Sequence, residues 1–324
     1  MPSFGDFIRT QWIIKIPRPS ASFAAKTVVI TGGNAGLGKE AAKHIVRLGA
    51  AKVILGCRSL DRGNSAKREI EALLKCSPDV VEVWELDLES PSSVKSFADR
   101  ANALPRLDVL INNAGMQTQQ FQVVYGTERM VAVNVIGTFL LAVQLVPKLR
   151  ETARNFKTTP HMTFVGSALY DVAKWPENHG GDIFAWFQDE SHVNKMNQYN
   201  LSKLLQLYAV IHLSTLIDPV DTTTAAANPH QVVINSLDPC FCKTGLPREL
   251  ATGGGALGVA FRLFEALFAR PVHARRRGAR LRPQVEQFVE TRAGWQLPIL
   301  GVPQMEGMKH APAKGWMGRR KSAL

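Results

Sequence analysis

Cysteine is scarce in this chain and badly spaced for metal. Cys57, Cys76, Cys240 and Cys242 are its only four among 324 residues. They do not make the two paired clusters of a structural zinc site, and Cys240-Phe241-Cys242 is not a Cys-x-x-Cys motif. No metal is implied, and a reducing, cytoplasmic setting fits best. Long apolar runs are also missing: none reaches the ~18 residues of a membrane span. The Trp12 to Ile16 segment, between Arg9 and Arg18, is too short for a signal-peptide core and has no small-residue cleavage pattern after it. It reads as part of an N-terminal arm, residues 1–25, that packs on the domain; contact with a membrane interface through Trp12 is the alternative. Nothing resembles a Ser/Gly/Pro linker, so one domain is expected.

The formal charge of +12 would suggest nucleic acid or an acidic surface as partner, until its placement is considered. From Arg270 to Leu324 there are twelve Lys and Arg against three acids, Glu286, Glu290 and Glu306. The first 269 residues hold 27 basic and 24 acidic residues, an ordinary near-neutral body. The basic tail lacks the aromatic interleaving or motif of a nucleic-acid reader, so no nucleic acid is expected as a partner.

Within that body, strands and helices alternate. Lys26 to Thr31 is a β-branched run of the kind buried on both faces. It enters Gly32-Gly33-Asn34-Ala35-Gly36-Leu37-Gly38 and then a helical pattern from Lys39 to Leu48, closed by Gly49. Strand, glycine turn and helix together present free N–H groups and a helix N-terminus to a pyrophosphate. Glycines at 32, 36 and 38 let the backbone turn and approach the ligand.

The second strand, Lys52 to Gly56, ends at Cys57-Arg58-Ser59, and no acid follows until Asp61. An acid at this point would bind a free ribose 2′-hydroxyl, whereas Arg58 suits a 2′-phosphate, so the reading leans to NADP (NADPH) over NAD. Residues 62–76 are helical in pattern. Val80 to Leu86 alternates as a strand and ends at Asp87, whose carboxylate can accept from the adenine amine. Ser90 and Pro91 start a further helix. Asp108 to Ile111 is the fourth strand and runs into Asn112-Asn113-Ala114-Gly115. Small residues there let a cofactor lie against the backbone. The alternation predicts an α/β fold, a doubly wound parallel sheet with helices on both faces (a Rossmann fold), whose ligands sit beyond the carboxyl ends of the strands.

In the second half, Gly126 to Leu145 is a long apolar helix carrying Asn134. A fifth strand, His161 to Gly166, delivers Ser167. Tyr199-Asn200-Leu201-Ser202-Lys203 places a phenol and an ammonium four residues apart on one helix face. A cation held near a phenol favours the phenolate, and the pair can then move a proton at a substrate oxygen.

This set of motifs resembles the short-chain dehydrogenase/reductase family, which pairs a Thr-Gly-x-x-x-Gly-x-Gly loop with Asn-Asn-Ala-Gly and an Asn, Ser, Tyr, Lys tetrad, in order here from Thr31 to Lys203. Within the family the sequence is similar to fungal and retinol-dehydrogenase-like members that use NADP. The resemblance implies an oxidoreductase interconverting an alcohol and a ketone or aldehyde, with Tyr199 as general acid or base. Lys203 would lower the pKa of Tyr199 and reach the nicotinamide ribose. Ser167 would hold the substrate oxygen, and Asn134 would position a water linking Lys203 to solvent. Around the cofactor it implies Gly32, Asn34, Gly36, Leu37, Gly38, Arg58, Asp87, Leu88, Asn113, Ala114, Gly115, Tyr199, Lys203, Cys242 and Thr244. It also implies a homodimer through the helices at 126–145 and 198–217.

Three departures stand out. Between Ser167 and Tyr199 lies a long stretch with Trp175, Phe184, Trp186, Phe187 and Gly180-Gly181, read either as a cover for a bulky lipophilic or secondary-metabolite substrate or as an excursion packing on the domain. After the sixth strand, Gln231 to Ser236, the family's Pro-Gly becomes Pro239-Cys240, which is strained wherever that backbone needs positive φ. Beyond the catalytic domain, residues 26–269, which closes with an amphipathic helix from Gly258 to Ala269, periodicity fails. The tail at 270–324 offers only Trp295 to Val302 as a last strand, interrupted by Pro298. It reads as an altered reading frame, with a genuine basic, disordered extension as the rival. A non-catalytic NADP-binding sensor or scaffold is the alternative function for such a chain.

Overall fold

The computed structural model describes residues 20–177, 180–217, 231–239, 241–243, 245–246 and 270–271. Its main sheet has six parallel strands: β1 (Thr27–Thr31), β2 (Lys52–Cys57), β3 (Val81–Glu85), β4 (Val109–Asn112), β7 (His161–Val165) and β8 (Val233–Leu237), in the order β3-β2-β1-β4-β7-β8. Two short strands, β5 (Val123–Val124) and β6 (Thr127–Glu128), form a hairpin. Its two turn residues, Tyr125 and Gly126, both have positive φ, as such a tight turn demands.

Every residue of β1 is buried, because the strand is covered on both faces. Val28 and Ile30 face a core shared with α1 (Gly36–Arg47) and α2 (Leu60–Leu74), through Ala41, Ile45, Ala66 and Ile70. Val29 faces the opposite way, into a core with α3 (Pro91–Asn102), α4 (Arg129–Phe156) and α6 (Lys195–Ile217). The period-two pattern of side chains thus sorts one strand between two cores, and the fold is doubly wound as expected. Each fully buried Val, Leu or Ile contributes about 1.5–3 kcal/mol, so these two layers supply most of what holds the domain together.

The helix α4 runs well past Leu145, through Pro147 to Phe156. Pro147 is exposed, as is Val143, the residue whose carbonyl loses its partner N–H. Water can serve that carbonyl, so the helix continues. α4 is the one described helix long and apolar enough to cross a membrane; two-thirds of its most apolar window (67%) is buried in the fold, as befits a core helix. Residues 132–137 of α4 form a π turn. Of the N-terminal arm, Phe23 packs into the core and Ala24 bridges Ala50.

At the other end, Cys242–Lys243 (β9) pairs in parallel with Arg270–Pro271 (β10). Trp12 to Ile16, Cys240, Thr244, the helix expected at 258–269 and the tail beyond Pro271 lie outside the described residues.

Candidate active site

A cavity of about 450 Å³ opens beyond the carboxyl ends of β1, β4 and β7. One wall is the glycine turn, with Gly32, Asn34, Gly36, Leu37 and the guanidinium-bearing Arg58. The floor is Asn113, Ala114 and Gly115, and the far wall carries Tyr199 and Lys203. Ala35, Met116, Gln117, Val165, Gly166, Pro239, Gly245 and Leu246 complete the lining. Of these last, only Pro239 was singled out in the sequence; apart from Gln117, the others are small or apolar positions without chemistry of their own.

The first wall is shaped by backbone. Gly32 has φ +67, a left-handed conformation that a side chain would strain. Gly38 lies outside the lining but behind it: a Cβ there would stand 2.5 Å from Asn113 Nδ2 and 2.6 Å from the Gly32 carbonyl oxygen. Asn113 Nδ2 donates to the carbonyls of Thr31 (2.9 Å) and Gly32 (3.3 Å). Thr31 Oγ1 accepts from the N–H groups of Asn113 (3.0 Å) and Ala114 (2.9 Å). The floor and the glycine turn are therefore one cross-tied unit. Arg58 is exposed, and its guanidinium is 3.4 Å from Glu89, a carboxylate already held by Arg129.

Besides Gly38, three expected cofactor residues among those described stand apart from this lining. Asp87 Oδ1 accepts from the N–H of Glu89 at 3.0 Å, a local turn. Leu88 is buried in the core, and its carbonyl accepts from the hydroxyl of Tyr125. Cys242 Sγ lies 3.2 Å from the Pro239 carbonyl oxygen.

Side chains build the second wall. α6 starts at Asn194, whose Oδ1 accepts from the N–H groups of Met196 and Asn197, and the Asn197 amide pairs with both backbone groups of Lys174. Along its buried face run Gln198, Tyr199, Ser202, Lys203 and Gln206. Gln198 Nε2 donates to Glu128 at 3.0 Å, and Glu128 also caps α4 by accepting from the N–H groups of Met130 and Val131. Burial raises the Glu128 pKa, partly offset by the hydrogen bonds it accepts.

Lys203 Nζ donates to the Val165 carbonyl (2.8 Å) and to Gln206 Oε1 (3.1 Å), and Gln206 Nε2 donates to the Asn134 carbonyl (3.1 Å). The Asn134 side chain is itself closed off: Nδ2 donates to Met116 O and Ser202 Oγ, and Oδ1 accepts from Met116 N. The Gln206 amide thus bridges the Lys203 ammonium to the Asn134 carbonyl.

Burial pushes the Tyr199 phenol above its ordinary range; a hydrogen bond with Ser167 pulls it back in part, and Asp238 adds to the rise. Burial also draws Lys203 down to about 8, against the opposing pull of Asp238. The expected depression of Tyr199 by Lys203 is therefore absent from this balance. The ammonium lies 5.9 Å from the ring centroid and spends its hydrogen bonds on Val165 and Gln206, so desolvation dominates. Ser167 caps the short helix Ala168–Val172 by accepting from the N–H of Leu169. Asp238, which directly follows β8, was missed in the sequence.

In the stretch from Ser167 to Tyr199, part of the chain packs on the domain and part is exposed. Trp175, Trp186 and Phe187, with α5 (Ile183–Trp186), pack on Val131, Val135 and Leu201. Leu169, Tyr170, Val172, Phe184 and Met196 are exposed. Among the described residues no cluster of His, Cys, Asp and Glu could hold a metal. Cys57 is buried, which pushes its thiol up to about 11, so it is no nucleophile.

The family model for short chain dehydrogenases matches residues 26–155. A short chain dehydrogenase/reductase of Cryptosporiopsis sp., dmxR8, is 40% identical over 253 residues, 76% of this chain and 76% of its own. A short chain dehydrogenase of Emericella nidulans, atnD, is 41% identical over 237 residues, 72% of this chain and 73% of its own. Among solved structures, a short-chain type dehydrogenase/reductase from Mycobacterium marinum aligns with a TM-score of 0.52 at 20% identity, covering 76% of this chain and 90% of that one. The Pseudomonas aeruginosa RhlG/NADP active-site complex aligns with a TM-score of 0.51 at 21% identity, covering 72% and 79%. These structures share the fold.

Proposed function

Because the chain belongs to the short-chain dehydrogenase/reductase family, we propose that it is an NADP(H)-dependent oxidoreductase interconverting an alcohol and a ketone or aldehyde on a bulky, lipophilic substrate of the secondary-metabolite kind. One observation carries this reading: a single cavity has the glycine turn and Arg58 on one side and Tyr199 and Lys203 on the other. The cradle fits a dinucleotide, since a Cβ at Gly38 would collide with the Gly32 carbonyl and the Asn113 amide that shape it.

When bound, the nicotinamide supplies or accepts the hydride. The protein's part is the proton and the geometry. Tyr199 is the general acid for reduction: its phenol, protonated at neutral pH, donates to the carbonyl oxygen as negative charge develops there. Ser167, hydrogen-bonded to Tyr199, is the second donor to that oxygen. Lys203, held on Val165 and Gln206, would hold the nicotinamide ribose with its cation. Arg58, on the cavity wall, would hold a 2′-phosphate, in keeping with the NADP named in the P. aeruginosa complex. The exposed apolar residues following Ser167 supply the surface for an apolar substrate.

The test is a fluorescence titration with NADPH and NADH, joined to turnover of a panel of aliphatic and polycyclic ketones. NADPH binding weakened by Arg58→Asp, with turnover abolished by Tyr199→Phe, supports the reading. Binding without turnover of any ketone points to the non-catalytic sensor or scaffold. Failure to bind either nucleotide overturns both.

A further inference from the structure

Gln206 lies one turn beyond Lys203 on α6 and has no part in the chemistry above. It is nonetheless almost wholly buried, at 2% exposure. A buried amide is costly unless both of its ends are paired. Here both are: Oε1 accepts from Lys203 Nζ and Nε2 donates to the Asn134 carbonyl, each at 3.1 Å. The partners also dictate which way the amide faces, since an ammonium has only donors and a carbonyl only lone pairs. The acceptor comes from the π turn of α4, where the backbone ladder is re-spaced and Thr138 Oγ1 takes the neighbouring Val133 carbonyl at 2.9 Å. Of the three ammonium N–H bonds, Val165 and Gln206 take two, and Lys203 itself lines the cavity.

We propose that Gln206 is a positioning residue for Lys203, bridging its ammonium to the Asn134 carbonyl and so aiming the remaining N–H into the cavity. This rests on the reading of Lys203 as the residue that meets the cofactor. The titratable groups that act on Lys203 are Tyr199 on its own helix and Asp238 at the end of β8; β7 presents the neutral Val165 carbonyl and α4 the neutral Asn134 carbonyl. Gln206 adds a neutral acceptor that favours the charged form without adding a charge.

A double-mutant cycle on the full chain tests this: Gln206→Leu, Lys203→Met and the pair, with Gln206→Glu as a fourth variant. Each is read by urea unfolding between pH 6.5 and 10 and by NADPH fluorescence titration. Lys203 at about 8 in the folded chain makes stability rise with pH above that value, because the unfolded chain keeps a proton that the folded chain releases. Lys203→Met lacks the rise. Gln206→Leu moves its onset down by about one pH unit and Gln206→Glu moves it up, since one removes an acceptor and the other installs a carboxylate. NADPH affinity falls about tenfold in Gln206→Leu and no further when Leu is added to Lys203→Met.

An onset that moves in neither direction, or substitutions whose effects simply add, overturns the proposal. If Gln206→Leu does not fold, the shift in Gln206→Glu decides. If Lys203→Met leaves NADPH affinity unchanged, the functional reading of Lys203 fails, while coupling in the unfolding data still decides the role of Gln206.

Discussion

The two walls of the cavity are built by different physics. The glycine wall, from Thr31 to Gly38 with Asn113 to Gly115, is made of backbone: two left-handed glycines, two close approaches and a set of carbonyls tied by one amide. The catalytic wall is made of side chains whose partners lie far away in sequence. Ser202 meets Asn134 across 68 residues, Gln198 meets Glu128 across 70, and Gln206 meets the Asn134 carbonyl across 72. Backbone shape is written locally, in residue types at fixed spacing. Side-chain registration is written in pairs, and neither member of a pair announces the other.

The sharpest way to separate the walls is Tyr199→Phe. It should lower turnover by at least about a thousandfold while leaving NADPH affinity within about threefold, as measured by steady-state kinetics beside fluorescence titration. Comparable losses of both would mean that the walls are not independent.

Gly38→Val attacks the other side. Its side chain must displace the Gly32 carbonyl or the Asn113 amide, so NADPH affinity should fall about a hundredfold, with a small effect on the urea midpoint of α6-linked signals. Equal affinity in the variant would show that the turn yields more easily than close packing implies.

Glu128→Ala removes a helix cap and strands the Gln198 amide, and about 2–3 kcal/mol of stability should go with it, read as a lower urea midpoint. Arg58→Asp should change the ratio of NADPH to NADH affinity about tenfold, with little change in folding, since Arg58 is exposed.

Stability also depends on pH. His161, at the start of β7, is drawn down to about 4 by burial, with Lys26 adding to it. Its folded pKa lies below its unfolded one, so its contribution is complete above about 6.5 and fades as pH falls towards 4. Stability should therefore decline over that window by about 2 kcal/mol more in the wild type than in His161→Gln, read by urea unfolding at several pH values.

The doubly wound sheet was legible because buried parallel strands are continuous apolar runs and glycine turns punctuate them. Tyr199 and Lys203 were legible because helical spacing alone puts them on one face. The end of α4 was not, because Pro147 reads as a stop unless one knows that it faces water. Nor was Gln206: a glutamine in a helix reads as solvent-facing, and only the packing of α6 on the π turn turns it inward. Asn134 was singled out from its place in an apolar helix, but nothing local to it announced that its carbonyl meets the Gln206 amide. Asp238 was invisible because a single acid after a strand has no motif around it.

The π turn in residues 132–137 has a consequence for how this chain can vary. It holds one residue more than an α-helical count would, so a deletion there would make α4 more regular. The same deletion would rotate everything upstream by about 100° relative to everything downstream. Glu128 and Asn134 could not then both keep their partners on α6. Homologues should thus accept insertions and losses freely in the stretch after Ser167, yet keep the distance from Glu128 to Asn134 invariant, an irregular helix preserved by the company it keeps.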